Sequence, residues 1–132
     1  MNNNGSRLLF AIAAIYDFVI GLAFLTSGPR LFDATGVPQP NHWGYIYFAA
    51  LLLMVFGLMF AQVSFNPAAN RNLIVYGILL KISYVGLVGY YWFNGGVPWL
   101  FQPFLFIDLV MLVLFAMAFR SAGTQSSTNL KL

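Results

Sequence analysis

Three ionisable residues stand inside otherwise apolar runs: Asp17 in "AAIYDFVIG", Lys81 in "YGILLKISY" and Asp108 in "FIDLVMLVLF". Two carboxylates and one ammonium in a dry setting can hold a proton, an ion or the polar head of an apolar molecule. Each is unfavourable in hydrocarbon by about 2.5 to 3.5 kcal/mol on an insertion scale, so such groups face one another or a wet cavity and are functional by default. The competing reading is architectural: a buried ion pair fixes helix register and partner choice with no ligand at all.

The elements that must carry them follow from composition. The chain is 132 residues, 61% hydrophobic and only 7% charged, against about 25% charged in soluble domains. Its hydropathy resolves into runs at 7–25, 45–63, 72–93 and 100–119, each long enough for a hydrocarbon core of about 30 Å. Only helices satisfy their own backbone there, and the unbroken runs lack the alternation of a membrane β-strand. The expected fold is therefore an all-α membrane protein, an antiparallel four-helix transmembrane bundle over 7–120. Polar tails at 1–6 and 121–132 are expected to be solvated ends. The first run is too long for a secretory h-region and is kept as a span.

Arg7, Arg71, Arg120 and Lys131 fall at one end of alternating spans and Arg30 at the other, which predicts both termini in the cytoplasm. Trp43, Trp92 and Trp99 fall at the opposite, outer ends, where amphipathic rings favour the interface. The segment "TSGPRLFDATGVPQPNHW" carries three prolines and two glycines and reads as the one loop large enough to cap a cavity, with Leu31 and Phe32 dipping into the interface. Within it, Arg30 and Asp33 read as an exposed pair that shapes the turn.

Asp17 lies ten residues from Arg7, Lys81 ten from Arg71 and Asp108 twelve from Arg120. At about 1.5 Å per residue all three share one depth near mid-bilayer. Ala13, Ala14 and Gly21 around Asp17, and Gly77 one turn before Lys81, allow close helix approach. A bridge from Lys81 to Asp17 or Asp108 is expected. The trio sums to minus one, so one acid is expected to hold a proton, with Asp108 favoured by its bulky neighbours Phe104, Leu105 and Leu112. Tyr16, Tyr84 and Tyr91 either offer hydroxyls to such a pocket or anchor the interface. Gly57 and Ala61 form a small-xxx-small packing face on the second span. An offset of 64 residues lays "RLLFAIAAIYDF" over "RNLIVYGILLKI", matching Arg7 to Arg71 and Asp17 to Lys81, and suggests two hairpins of similar plan.

Several chemistries are excluded. The chain has no Cys and a single His, His42, so it offers no thiolate, disulfide, haem or iron-sulfur ligand set and no metal site. It has no phosphate loop, nucleophile elbow or basic cluster, which sets nucleic acid aside.

The proline-rich first loop, "AALLLMVFGLMF", the mid-helix Lys of "YGILLKISY" and the Asp of "FIDLVMLVLFAMAF" together resemble the small bacterial DoxX-like membrane proteins over residues 7 to 120. The resemblance implies a four-helix bundle in the bacterial inner membrane, in a group associated with quinone-linked oxidation of sulfur compounds, and supplies no catalytic residues. Three functions compete. The first is a non-catalytic accessory subunit or binder of a quinone-like or lipid-like molecule at Asp17, Lys81 and Asp108, with Tyr16 and Tyr84 as further candidates, in the membrane and beside a possible protein partner. The second is a proton-coupled small-molecule transporter working through Asp17. The third is an intramembrane isomerase using Lys81 or Asp108 as acid or base, which ranks last because no nucleophile stands beside a base.

Overall fold

The computed structural model describes residues 1–131; Leu132, the last residue of the expected C-terminal tail, lies outside them. The four apolar runs form four helices: α1 (Asn3–Thr35), α2 (Gly44–Phe65), α3 (Arg71–Phe93) and α4 (Gln102–Leu130), with a 3-10 turn at Trp99–Phe101 leading into α4. There is no strand among the described residues. All four helices are long and apolar enough to cross a membrane, and of their most apolar stretches only 17 to 28% is buried by the protein itself. Leu8, Ile15, Val19, Phe48, Leu58 and Val110 all face outward. A surface this apolar is far larger than the patches soluble monomers tolerate, and hydrocarbon is the solvent it suits.

Three helix ends differ from the sequence expectation. The stretch "TSGPR", read as loop, continues α1 through Pro29 to Thr35. A helical proline forfeits one backbone bond, a loss that membrane helices accommodate. The stop comes instead at Gly36, left-handed at φ +69°. There Gly36 N donates to Asp33 O and Val37 N to Phe32 O, the paired bonds that close a helix on a glycine. The tails differ likewise: the Asn2 side chain caps α1 by accepting from Gly5 N at 2.7 Å, and α4 runs on to Leu130. At about 1.5 Å per residue, α1 at 33 residues reaches about 50 Å and overhangs the hydrocarbon.

The helices pack as two hairpins, α1 with α2 and α3 with α4. Small residues set the closeness. A Cβ at Gly21 would lie 2.5 Å from Ala50 O, one at Gly57 2.9 Å from Phe18 Cβ, and one at Gly77 2.6 Å from the Phe60 ring. As α1 advances from Arg7 through Ala14 and Gly21 to Gly28, its partners on α2 retreat from Ser64 through Gly57 and Ala50 to Trp43. The second hairpin runs the same way, from Arg71 with Phe119 to Tyr84 with Phe101.

The hairpins match position by position. Arg7 Nε donates to Ser64 O at 3.2 Å, and Arg71 Nε to Phe119 O at 2.9 Å, so each arginine latches a carbonyl of the helix that follows its own. The 64-residue offset thus relates α1 to α3, while Ser64 and Phe119 relate α2 to α4 by 55. Under these offsets Phe10 pairs with Ile74, Val63 with Ala118 and Phe60 with Phe115, and all six are fully buried. The first hairpin is nine residues longer between its latch partners, 57 against 48. The excess lies in the overhang of α1 and the turn beyond it.

Candidate functional site

Lys81 on α3 is enclosed by carboxylates. Its Nζ donates to Asp17 Oδ1 at 3.0 Å and Oδ2 at 3.3 Å on α1, and to Asp108 Oδ1 at 3.0 Å on α4. The Tyr16 ring centroid lies 5.1 Å from the ammonium and that of Phe60 5.9 Å. Asp17 and Lys81 are 1% exposed and Asp108 6%. All three expected groups therefore meet, and none projects to the outer surface. Lys81 bridges both acids rather than one. Gly77 is what lets this happen: with no side chain there, Phe60 and Phe115 close against α3 one turn away.

The two sides of the trio differ. Toward the end that holds the termini, Phe10 stacks on Phe115 with centroids 4.7 Å apart, and Phe60 packs edge-on to Phe115 at 5.2 Å. All three rings are fully buried. Toward the end that holds the 36–43 and 94–98 turns there is a cavity of about 220 Å³. Its polar floor is Asp17, Asp108, Tyr16 and Tyr84; Ile20, Ala49, Leu53 and Phe104 form walls; and Phe24, Phe32 and Phe101 lie toward its far end. Phe24 stacks on Phe101 at 6.4 Å, and Trp43 covers Phe32 at 5.0 Å. Lys81 is not part of this lining. The chamber therefore meets the acids and not the amine that pairs them.

Of the tyrosines, Tyr16 and Tyr84 line the cavity, and the Tyr84 hydroxyl donates to Phe101 O at 2.9 Å. Tyr91 is 54% exposed on the outside of α3. One outer-loop reading needs correction. Asp33 accepts from Gln39 Nε2 at 2.6 Å, and no Arg30–Asp33 ion pair forms among the described residues: helix α1 carries both residues, and the chain returns Gln39 to the acid instead. His42 Nδ1 accepts from Gly44 N at 3.0 Å and so shapes the entry to α2.

The aromatic far end was not visible in the sequence. Phe24 and Phe32 are eight apart, the spacing of one helix face, but that signal counts only if α1 is carried through Pro29. Leu53 is one leucine among many in α2 and carries no local signal of its own. Compared with family models, with curated proteins and with solved structures, the chain has no match, and the geometry of the trio and its cavity is what a functional reading rests on.

Proposed function

We propose that this chain is an antiparallel four-helix transmembrane bundle of the bacterial inner membrane, DoxX-like, with both termini cytoplasmic. Its role in this reading is to bind an apolar small molecule of quinone-like or lipid-like kind, as a non-catalytic binder or accessory subunit. The cavity beside Asp17 and Asp108 carries the proposal, since it joins aromatic walls to a few convergent polar groups as small-molecule sites do. Size supports it too. A dry cavity of about 150 Å³ admits benzene and drug-sized ligands need about 300 Å³ or more, so 220 Å³ suits a single substituted ring or a short chain.

Purification in mild detergent followed by mass spectrometry of co-purifying lipids, quinones and proteins tests the role. A reproducible apolar ligand, lost in Leu53→Phe while the helical content holds, is the expected outcome. A stoichiometric protein partner indicates the accessory role, and an empty wild-type chain with no partner refutes both. Because the chain lacks Cys, single cysteines at Gln39 and Ser127 test topology by impermeant thiol labelling in intact cells. Labelling of Gln39→Cys alone is expected.

A proton-coupled transporter is the second reading. It draws on the one-sidedness of the interior, open toward one end of the trio and sealed by Phe10, Phe60 and Phe115 at the other, as in a carrier caught facing one side. Unchanged drug resistance and proton flux with Asp17→Asn ends that case.

A further inference from the structure

Given the binding role proposed for the cavity, we infer that its ligand is a protonated amine on a small apolar body, held by the carboxylate of Asp108. The inference starts from the match between hairpins. Asp17 and Lys81 occupy equivalent positions and cancel, with both Asp17 oxygens within 3.3 Å of the ammonium. The equivalent of Asp108 under the 55-residue offset is Leu53, which lines the same cavity. Among the described residues no second cation answers Asp108. Arg7 and Arg71 are latched to backbone carbonyls at the terminal end, and Arg30 is exposed. The trio therefore has one acid more than Lys81 can cancel, on a residue 6% exposed that borders the cavity and that holds either a proton or a cation.

The direction of that charge selects the head group. Lys81 engages one oxygen of Asp108, Oδ1, and lies outside the lining, so the charged groups that meet the cavity are carboxylates, beside the hydroxyl-bearing Tyr16 and Tyr84. A quinone would set its carbonyl acceptors against a carboxylate, and an uncharged ligand leaves Asp108 dependent on its own proton for neutrality in a low-dielectric site. An ammonium donates to the carboxylate and takes the place of that proton. The rings of Tyr16, Phe24, Phe101 and Phe104 supply the aromatic faces on which organic cations settle. This narrows the proposed occupant to the amine-bearing part of the lipid-like class.

The test uses the full-length chain in non-ionic detergent at pH 7. Binding of 2-phenylethylamine is compared with that of 2-phenylethanol, its uncharged counterpart of the same size, by calorimetric titration. The amine is expected to bind at least tenfold more tightly. Asp108→Asn is expected to erase that preference, and Asp33→Asn, at the exposed turn, to keep it. Leu53→Lys tethers an ammonium inside the chamber from the matching position; it is expected to abolish amine binding and raise the melting temperature, which does not depend on how Asp108→Asn folds. Equal affinity for amine and alcohol, amine binding untouched by Asp108→Asn, absence of amine binding, or a lowered melting temperature in Leu53→Lys each overturns the inference. If amine and alcohol bind equally and Leu53→Phe removes both, the chamber stands as a binding site and only its charge selection is refuted.

Discussion

The two halves of the interior are built on one plan and finished differently. At the terminal end, Phe60 and Phe115 stand at equivalent positions of α2 and α4 and meet across the middle with Phe10 against them, all three fully buried. At the loop end, the equivalents are Ile46 with Phe101, Ala49 with Phe104 and Leu53 with Asp108, and these surround a void. Unequal side chains at matched positions do not meet as paired rings do. The filled half holds the hairpins together; the hollow half is free to take a guest. The charged trio lies at the boundary and belongs to both.

The largest effect should come from breaking the boundary. Lys81→Met strands two buried carboxylates, and removing one member of a buried ion pair costs about 3 to 5 kcal/mol. Thermal unfolding in detergent should show the loss, and the triple variant Lys81→Met, Asp17→Asn, Asp108→Asn should recover most of it. A triple variant no better than the single would mean that the charges matter for more than mutual neutralisation.

Next comes the contrast between halves. Between helices in a bilayer the hydrophobic transfer term is largely absent and packing dominates. Phe115→Ala is then best costed by the void it opens: roughly 100 Å³ at about 24 cal/mol per Å³, or about 2 kcal/mol. Phe104→Ala merely enlarges an existing void and should cost well under half of that. Equal losses in unfolding experiments would erase the distinction between a packed and a hollow half.

Smaller again is the latch. Arg71→Gln removes the bond to Phe119 O and the stacking of the guanidinium over the Phe119 ring at 3.6 Å, and should cost about 1 kcal/mol. Arg7→Gln should cost less, since its bond is longer and more exposed. Leu53→Phe should have the smallest effect on stability, near zero or slightly positive, while excluding ligand. A loss comparable to that of Phe115→Ala would show the chamber too small for the added ring.

Much of this was legible in the sequence, for reasons tied to particular residues. The four helices follow from apolar runs that admit no other backbone solution. The meeting of Asp17, Lys81 and Asp108 follows from their shared depth and from the cost of leaving any of them in lipid. The end of α1 was not legible, because Gly28 and Pro29 mark a break in water and are tolerated where packing sustains the helix; the true stop is the left-handed Gly36. The partner of Asp33 was hidden for the same reason, since Gln39 returns to it only after the extended α1. The cavity itself left no local signal. It arises from mismatched sizes at positions 55 residues apart and from the overhang that carries Phe32 to its far end, and neither is a property of any one stretch.

The bond from Asp17 to Lys81 joins residues 64 apart, which constrains the order of events during synthesis. A ribosome adding about 5 to 20 residues each second needs roughly 3 to 13 s to make that stretch. For that interval the first hairpin has its own arginine latch but no counter-ion for its acid. Asp17 can be paired only once the second hairpin has begun, so Lys81 is the residue that joins the early half of the chain to the late one.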